Sequence, residues 1–312
     1  MTHISTPESL AHRIAGRMDT LRSAASEISP VLDSAGVRHV IPRTVLPAGL
    51  PPRLLGLGRR QRFDVAFIDQ PLLWSASLKH VARVIVYRPT DQYPSGLKAL
   101  LQAQILREAD AVVATSTPVL SSLGRVRVPA LVLENGVDVD HFRDRNLTRS
   151  KQAVYVGAID KRFDHGLVYA LADSKPDWQF LVAGGYFSPE GRQNIENAPS
   201  IPYRELPEVL GRARIGLLPL SSDTLNEGRS PMKLYEYLAS GLRVVSRQTP
   251  AIKPNEECGL FTYRNATEAV QSFDRATIAE DANFAGSLIA QDYSWRDRST
   301  RLVDFVRDLG VR

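Results

Sequence analysis

The chain has 312 residues, of which 43% are hydrophobic and 23% charged, so disorder is excluded and one large or two average domains are expected. No apolar run approaches the ~18 residues of a membrane span, and residues 1–25 lack the apolar core of a secretory signal. The single cysteine, Cys258, excludes a disulfide framework and a cysteine-based metal site. These features fit a cytoplasmic protein.

The charge is unevenly distributed along the chain. The formal net charge is +5. Residues 1–149 contain 19 Lys and Arg against 13 Asp and Glu, a net of +6, whereas residues 150–312 contain 20 against 21, a net of −1. A basic half beside a neutral half suggests that the two halves have different partners.

The N-terminal half combines helical stretches with short, uniformly apolar strands. A helix is predicted over 7–34, and residues 42–62 have neither a helical nor a strand period. Strands are predicted at 36–41, 64–69, 83–87, 111–115 and 130–133. A helix at 96–109 would bury one apolar face, which consists of Leu97, Leu100, Leu101, Ile105 and Leu106.

The same pattern restarts in the C-terminal half, after a polar stretch at 142–152 that suggests a hinge. Strands are predicted at 153–156, 179–183, 215–218 and 243–246. Helices are predicted at 166–172, 206–213, 231–240, 267–273 and 295–309, the last burying Leu302, Val303, Phe305, Val306 and Leu309. Two successive βα runs predict an α/β protein of two Rossmann-like, doubly wound domains that face each other across a cleft.

A glycine follows the predicted strand at 153–156. Gly157 would let a ligand approach the backbone, the next helix N-terminus would favour an anion, and Lys161 and Arg162 would add positive charge. Gly184, at the end of the strand 179–183, would also approach the ligand. The alternative is an ordinary β–α turn.

A polar loop and a short helix occupy residues 226–241. Ser230 is a natural N-cap, Pro231 a natural first helical residue and Gly241 a helix stop. Lys233 would lie in the first turn, where the helix dipole disfavours a cation unless an anion is bound. Glu236 follows three residues later, so the alternative is an exposed Lys–Glu pair on the helix surface.

The segments SPMKLYEYLASG (230–241), YVGAIDKRFD (155–164), ENGVDVDHF (134–142) and SWRDRSTRLVDFV (294–306) together resemble the C-terminal donor domain of GT-B glycosyltransferases. The Met-Lys-Leu run is most similar to bacterial polysaccharide glucuronosyltransferases of the xanthan type. The resemblance implies that Lys233 binds the donor diphosphate, Met232 lies near the nucleotide and Glu236 meets the ribose. The implied donor-binding residues are Gly157, Arg162, Gly184, Tyr203, Ser230, Met232, Lys233 and Glu236.

The resemblance also implies the domain organisation. Residues 1–147 would form the acceptor domain, residues 148–293 the nucleotide-sugar donor domain, and residues 294–312 a helix that packs back on the N-terminal domain. Only His3 to Ser5 precede the first predicted helix, so the first strand is missing or a stub and the N-terminal domain is expected to be reduced.

Asp91 follows the predicted strand 83–87 and is the candidate general base, because an inverting transferase must take a proton from the acceptor hydroxyl. It resembles the catalytic aspartate of the glucuronosyltransferase group. A turn after Pro89 and an acceptor-binding role are the alternatives, and Asp69 is the second candidate base. Arg88 would hold an anionic group of donor or acceptor.

Three further expectations concern the mechanism and the acceptor. Glu227 and Glu236 are separated by eight residues instead of the seven typical of retaining enzymes, which favours inversion. No metal site and no cofactor besides the donor are expected, since GT-B sites stabilise the departing diphosphate with helix ends and basic residues. The basic, apolar segment 46–63, with Arg53, Arg59 and Arg60, would contact a lipid-linked acceptor or an anionic membrane at its inner face; the alternative is a solvated loop that covers the core.

The sequence therefore predicts a metal-independent, inverting glycosyltransferase that moves a sugar from a UDP-linked donor to a hydroxyl acceptor. A nucleotide-sugar epimerase of the same fold and a non-catalytic donor-binding subunit are the alternatives. A nucleic-acid partner is not expected, because aromatic residues make up only 7% of the chain and no nucleic-acid motif is present. The identity of the sugar and of the acceptor is left open.

Overall fold

The computed structural model describes residues 62–310 and, before them, the backbone of five short strands. These are β1 (Thr2–Ile4), β2 (Glu8–Ser9), β3 (Val31–Leu32), β4 (Arg38–Val40) and β5 (Arg43–Thr44). Strand β4 pairs in parallel with β1 and antiparallel with β3, and β2 pairs in parallel with β5. The chain thus opens with a paired three-residue strand, and β2 and β3 occupy the two ends of the predicted helix over 7–34. The rest of that helix, and residues 46–61, lie outside the described residues.

The chain divides into two compact units. Unit 1 comprises Met1–Ala114, Val119–Val132 and Val306–Arg312, and unit 2 comprises Thr115–Pro118 and Leu133–Phe305. The polar stretch at 142–152, suggested above as a hinge, lies within unit 2. There the Arg149 guanidinium donates to the carbonyl oxygens of Ala213 and Ser240, both at 2.7 Å, and pairs with Asp144 at 2.8 Å. These contacts hold the stretch against the unit 2 core.

Unit 1 contains a four-stranded parallel sheet in the order β6-β7-β8-β9. Its strands are β6 (Phe63–Ile68), β7 (Ala82–Tyr87), β8 (Ala111–Ala114) and β9 (Ala130–Val132). Helix α1 (Gly96–Glu108) follows β7, and helix α2 (Thr117–Ser122) follows β8. These strands and α1 confirm the predicted elements to within one or two residues.

Helix α1 buries a different stripe from the predicted one. Leu97 and Leu100 are 50% and 66% exposed, whereas Leu101, Gln102 and Ile105 are buried. The buried hydroxyl of Tyr87 donates to the side-chain oxygen of Gln102 at 2.8 Å. A buried hydroxyl needs a hydrogen-bond partner, and Gln102 supplies it from the inward face of α1. The two leucines lie on the exposed side of the helix.

Unit 2 contains a six-stranded parallel sheet in the order β12-β11-β10-β13-β14-β15. Its strands are β10 (Gln152–Val156), β11 (Gln179–Ala183), β12 (Ile195–Ala198), β13 (Ile215–Leu218), β14 (Arg243–Arg247) and β15 (Leu260–Tyr263). Its helices are α3 (His165–Ser174), α4 (Leu206–Arg212), α5 (Met232–Ala239), α6 (Ala266–Ala276) and α7 (Phe284–Gln291), and α8 (Trp295–Asp308) ends in unit 1. Strands β12 and β15 and helix α7 were not predicted.

Alternate residues of the unit 2 strands enter two separate hydrophobic cores. Ala153 and Phe180 pack in one core with helices α3 and α6. Val154 and Leu181 pack in the other with helices α4, α5 and α7. A parallel sheet with helices on both faces confirms the predicted doubly wound α/β class for this unit.

The strand order of unit 2 reverses at β10, since β11 lies on one side of β10 and β13 on the other. Ligands of open α/β sheets bind outside the carboxyl ends of the strands at such a reversal. A ligand site is therefore expected at the turn after β10 and the loop after β13.

The terminal helix α8 also differs in detail from its predicted stripe. Val306 is buried, and Leu302, Phe305 and Leu309 are half-buried, but Val303 is 46% exposed. Across residues 62–310, no helix has both the length and the apolar character needed to cross a membrane.

Candidate functional site

The glycine that follows β10 lies directly beneath a lysine side chain. The backbone N–H of Gly157 donates to the carbonyl oxygen of Ala183 at the end of β11, at 2.8 Å. A methyl group on Gly157 would lie 2.2 Å from Cε and 2.8 Å from Nζ of Lys233. A residue with a side chain would displace the lysine, so the fold brings the predicted residues Gly157 and Lys233 into contact.

Gly184 occupies the corresponding place after β11. Its φ of +121° disfavours any residue with a side chain. A methyl group there would lie 2.3 Å from the carbonyl oxygen of Gly157. The two turns therefore pack backbone against backbone, and this close packing forms the floor beneath Lys233.

Helix α5 begins one residue later than predicted. Pro231, with φ −73° and ψ 119°, takes the N-cap position, and Met232 is the first helical residue. The prediction that Ser230 caps the helix is wrong: its hydroxyl accepts the backbone N–H of Asn135 at 3.1 Å. Ser230 is only 8% exposed, and its hydroxyl binds the half-buried amide of Asn135 from another segment instead of capping the helix. Gly241, with φ +76°, ends the helix as predicted.

Lys233 and Glu236 are both half-buried and interact electrostatically. Burial lowers the pKa of the Lys233 amine; the charge of Glu236 opposes this effect, and the charges of Arg229 and Arg162 add to it. Burial raises the pKa of the Glu236 carboxyl, while Lys233 and His141 act in the opposite direction. This differs from a solvated surface pair, because both charges are held partly out of water. An anion bound at Lys233 would offset the repulsion among the cations.

The other two cations predicted for this site are paired with carboxylates. Arg162 donates its backbone N–H and its Nε to Oδ1 of Asp160, each at 2.9 Å. Its Nη2 contacts the second oxygen of the same carboxylate, and this pairing lowers the pKa of Asp160. Nζ of Lys161 lies 3.3 Å from Asp223, with the lysine side chain 70% exposed. Lys161 is therefore the most exposed of the three, whereas Lys233 and Arg162 are both half-buried.

A buried asparagine joins the turn after β10 to the loop after β13. Asn226 is 2% exposed, and its side-chain N–H groups donate to the carbonyl oxygens of Arg162 and Ser221, both at 3.0 Å. The turn carrying Arg162 and the loop leading to α5 are thereby held together.

Two residues that act on Lys233 or Glu236 were not among the sequence predictions. The positive charge of Arg229 acts on Lys233, on Asp160 and on Tyr155. A second basic residue in the polar loop before α5 was the available signal for Arg229. His141 acts on Glu236 across 95 positions of the chain, and no local pattern could have indicated it.

Tyr203 stacks on His141 at the edge of this site. The ring centroids are 4.4 Å apart with an interplanar angle of 8°, and His141 Nε2 lies 3.0 Å from the backbone carbonyl oxygen of Tyr203. Burial raises the pKa of Tyr203, and the charges of Asp138 and Glu236 raise it further. Tyr203 is 54% exposed and Met232 46% exposed. Both predicted donor-site residues thus keep much of their surface available in unit 2.

In unit 1, the candidate bases follow the carboxyl ends of β6 and β7. Arg88 donates its backbone N–H to Ile68 at 2.9 Å, and its guanidinium lies 3.6 Å from the carboxylate of Asp69. Burial raises the pKa of Tyr93 to about 12, and the charges of Asp91 and Asp69 both contribute. The two carboxylates thus act on one tyrosine. Arg53, Arg59 and Arg60 lie outside the described residues.

Within residues 62–310, no group of three or more His, Cys, Asp or Glu side chains is placed to hold a metal ion. Several charged groups surround Lys233. They comprise the two guanidinium groups of Arg162 and Arg229 and the carboxylate of Glu236. Such a set suits a negatively charged ligand that also carries hydroxyl groups.

Comparison with known proteins points to glycosyltransferases. Residues 162–304 match the family model described as glycosyl transferase-like. The putative teichuronic acid biosynthesis glycosyltransferase TuaH of Bacillus subtilis (strain 168) is 26% identical over 223 residues, which cover 64% of this chain. The matched region spans 55% of that relative's length.

Solved structures show the fold. The sucrose-phosphate synthase of Thermosynechococcus elongatus superposes with a TM-score of 0.72 at 15% identity, covering 91% of this chain and 86% of that one. AviGT4, a glycosyltransferase of avilamycin A biosynthesis, gives 0.60 at 14% identity, covering 86% and 82%. HepE of Anabaena, in complex with UDP, gives 0.60 at 13% identity, covering 74% of each chain.

The chain therefore has the GT-B fold of two parallel α/β domains, as predicted. Its C-terminal region carries the sequence pattern of the glycosyl transferase-like family. The matched segment 162–304 includes Arg229, Lys233 and Glu236, so the family pattern and the charged site fall on the same part of the chain.

Proposed function

We propose that the protein is a glycosyltransferase that transfers a sugar from a nucleoside-diphosphate sugar, UDP-linked, to a hydroxyl acceptor. The observation that carries this proposal is the desolvated Lys233 amine packed on Gly157, with Glu236 beside it, at the strand-order reversal of unit 2. Two neighbours in fold support the choice of donor. HepE was solved with UDP, and the pneumococcal O-GlcNAc transferase GtfA with UDP and GlcNAc.

The diphosphate would bind at Lys233, in the positive field to which Arg229 and Arg162 contribute. Glu236, once ionised, would accept hydrogen bonds from the ribose hydroxyls. Tyr203 and Met232 would contact the nucleoside from their exposed sides, and the backbones of Gly157 and Gly184 would allow close approach. Fixed cations of this kind stabilise the charge that develops on a leaving diphosphate without a metal ion.

The reaction would be a single displacement with inversion. The bond between the anomeric carbon and the diphosphate oxygen breaks as the acceptor oxygen bonds to the same carbon. Asp91 would take the acceptor proton, and Lys233 would neutralise charge on the departing diphosphate. Asp69 is the second candidate base, although its carboxylate already lies 3.6 Å from Arg88.

The finer resemblance to polysaccharide glucuronosyltransferases of the xanthan type suggests a hexose or a hexuronic acid as the transferred sugar. A carboxylate on the sugar or the acceptor would suit Arg88. The basic N-terminal half, with Arg53, Arg59 and Arg60, suits a lipid-linked acceptor at the inner face of an anionic membrane, with the protein bound peripherally.

Titration of the full chain with UDP tests the donor site. Lys233→Ala is expected to weaken UDP binding by ~100-fold, since a charge-assisted contact in a desolvated site is lost. Lys151→Ala is the matched control, because Lys151 forms an exposed ion pair with Asp177 and should leave the affinity unchanged. UDP affinity that survives in Lys233→Ala would refute the assignment.

Activity assays test the base. Asp91→Asn should bind UDP like the wild type and fail to transfer sugar, whereas Asp69→Asn should transfer. The reverse pattern would make Asp69 the base. Donor conversion to another sugar nucleotide without acceptor would favour an epimerase, and binding without any conversion would favour a donor-binding subunit.

A further inference from the structure

The segment that leads into α5 is held from outside its own loop by two residues, Ser116 and Asn135. Ser116 is 4% exposed, and its hydroxyl donates to the carbonyl oxygen of Gly228 at 2.6 Å. Asn135 donates its side-chain N–H to the carbonyl oxygen of Ser230 at 2.6 Å and its backbone N–H to the Ser230 hydroxyl at 3.1 Å. Three hydrogen bonds thus fix residues 228–230, just before the helix that carries Lys233.

Both anchors belong to unit 2, and each comes shortly after a strand in the sequence. Ser116 lies two residues after β8 ends at Ala114, and Asn135 lies three residues after β9 ends at Val132. The positions of Ser116 and Asn135 are therefore set by parts of the chain other than residues 228–230. Because the carbonyl oxygen of Gly228 is buried, removing the Ser116 hydroxyl would leave that oxygen without its hydrogen bond.

The Asn135 anchor is itself tightly held. A methyl group on the adjacent Gly136 would lie 2.8 Å from the Trp295 ring. The backbone N–H of Val137 donates to Tyr293 at 2.9 Å, and that of Trp295 donates back to Val137 at 3.0 Å. The start of α8 therefore fixes the segment that carries Asn135, so this anchor has little freedom to follow the loop.

Lys233 in turn depends on where residues 228–230 lie. Its side chain fills the space above Gly157, where a methyl group would lie 2.2 Å from Cε, and Arg229 lies within the anchored segment. Electrostatic interactions change steeply over short distances in a desolvated site. A small displacement of the first turn of α5 would therefore change both the burial of the amine and its distance from Arg229.

We propose that Ser116 and Asn135 are positioning residues for diphosphate binding, which set the place of Lys233 through residues 228–230. This inference rests on the proposed function, in that it assigns a diphosphate to Lys233. It adds two residues that act on the site through three hydrogen bonds to residues 228–230.

Two variants and two matched controls test the proposal in the full chain. Ser116→Ala is matched by Ser272→Ala, since Ser272 is 1% exposed and its hydroxyl donates to Thr262 at 2.8 Å. Asn135→Ala is matched by Asn283→Ala, since Asn283 is 5% exposed and donates to two buried carbonyl groups. The controls remove buried hydrogen bonds of unit 2 that do not involve residues 228–233.

Three readouts separate positioning from a general loss of stability. Without ligand, amide hydrogen exchange over 229–234 should be ~10-fold faster in the two anchor variants than in their controls. The Kd for UDP should rise by ~10-fold in the anchor variants and by less than about twofold in the controls.

The alkaline limit of UDP binding is the third readout. It should move to higher pH in the anchor variants only, because an amine released from burial titrates nearer its ordinary pKa. The groups that face Lys233, namely Glu236, Arg229, Arg162 and Tyr155, are the same in all variants.

The outcomes are distinguishable. Anchor variants that exchange like their controls would overturn the proposal, as would variants that keep the wild-type Kd and alkaline limit. If the wild-type protein does not bind UDP, the proposed function fails. The exchange comparison then decides whether Ser116 and Asn135 hold the start of α5.

Discussion

An alanine at Gly157 and an alanine at Gly184 would meet different neighbours, although the glycines are adjacent in space. At Gly157 the added methyl group meets the flexible end of Lys233, at 2.2 Å. At Gly184 it meets the backbone carbonyl of Gly157, at 2.3 Å, and φ is +121°. A lysine can swing away, whereas a peptide group is held by its strand. The same substitution should therefore affect mainly binding at Gly157 and mainly folding at Gly184.

We expect Gly157→Ala, whose φ of +158° also disfavours a side chain, to lower the free energy of unfolding by about 1 kcal/mol and to weaken UDP binding by ~10-fold. Gly184→Ala should lower the free energy of unfolding by about 2 to 3 kcal/mol. Denaturant unfolding and UDP titration measure the two effects. Gly191→Ala is the control for backbone strain alone, because Gly191 has φ +78° and no atom within 4 Å of the added methyl group. Equal losses for Gly184→Ala and Gly191→Ala would contradict a steric role for the Gly157 carbonyl.

The charged pair of α5 predicts a narrow pH range for donor binding. Burial raises the pKa of Glu236 and lowers the pKa of Lys233. As pH falls, Glu236 should lose its charge earlier than an ordinary glutamate, and as pH rises, Lys233 should lose its proton earlier than an ordinary lysine. Affinity for a UDP-sugar should therefore decline on both sides within a shorter interval than two solvated groups would give. Calorimetric titration across pH measures both limits.

Two variants assign those limits. Glu236→Gln cannot ionise, so its acid limit should disappear. Lys233→Arg keeps its charge at every accessible pH, so its alkaline limit should disappear. An alkaline limit that persists in Lys233→Arg would belong to the ligand or to another residue and would contradict the assignment to Lys233.

At the scale of the element, a side-chain cap on a helix of unit 2 depends on whether the polar side chain before the helix has an oxygen available to accept from the first turn. Ser230 precedes α5 but is used by Asn135, so α5 begins without a side-chain cap. Asn265 is free to cap α6: its side-chain oxygen accepts the backbone N–H of Glu268 at 2.9 Å. Glu268 accepts the backbone N–H of Arg264, the residue before the N-cap, at 2.8 Å, which resembles a capping box displaced by one residue.

Asn265→Ala should therefore lower the free energy of unfolding by about 1 kcal/mol. Asn265→Gly should lower it by only about 0.3 kcal/mol. UDP affinity should not change in either variant, because α6 packs on the face of the sheet opposite α5. Thermal or denaturant unfolding with parallel UDP titration checks both statements. A loss of binding in Asn265→Ala would contradict the separation of the two faces.

At the scale of the whole molecule, the charge distribution predicts where the protein meets a membrane. The excess positive charge lies in residues 1–149, and contact with anionic lipid gains about 1 kcal/mol for each arginine near the surface. The full chain should sediment with vesicles that contain phosphatidylglycerol, less so as salt is raised, and not with neutral vesicles.

The triple variant Arg53→Glu, Arg59→Glu, Arg60→Glu should lose this binding. The triple variant Arg204→Glu, Arg264→Glu, Arg296→Glu is the control, because it changes the net charge equally at exposed positions of unit 2. Equal losses in both would mean that net charge alone governs the binding, and unchanged binding in the first would refute the membrane surface proposed for residues 46–63.

The sequence by itself determined the α/β class, the central strands and the candidate residues Gly157, Lys233 and Glu236. Uniformly apolar runs such as 111–114 and 215–218 indicate strands buried on both faces. Such runs are visible within a few consecutive residues, so the sequence alone reveals them. A lysine in the first turn of a helix is likewise visible in a short segment. Edge strands such as β12, with the sequence IENA, lack such a run and were missed.

Only the tertiary structure decided the partners. Ser116 and Gly228 are 112 positions apart, and Asn135 and Ser230 are 95 apart, so no local spacing relates them. Likewise, no local spacing shows that the Ser230 hydroxyl accepts the N–H of Asn135 instead of capping α5. A local pattern records how one element buries its own face, whereas a hydrogen bond between distant segments exists only once the sheet has brought them together.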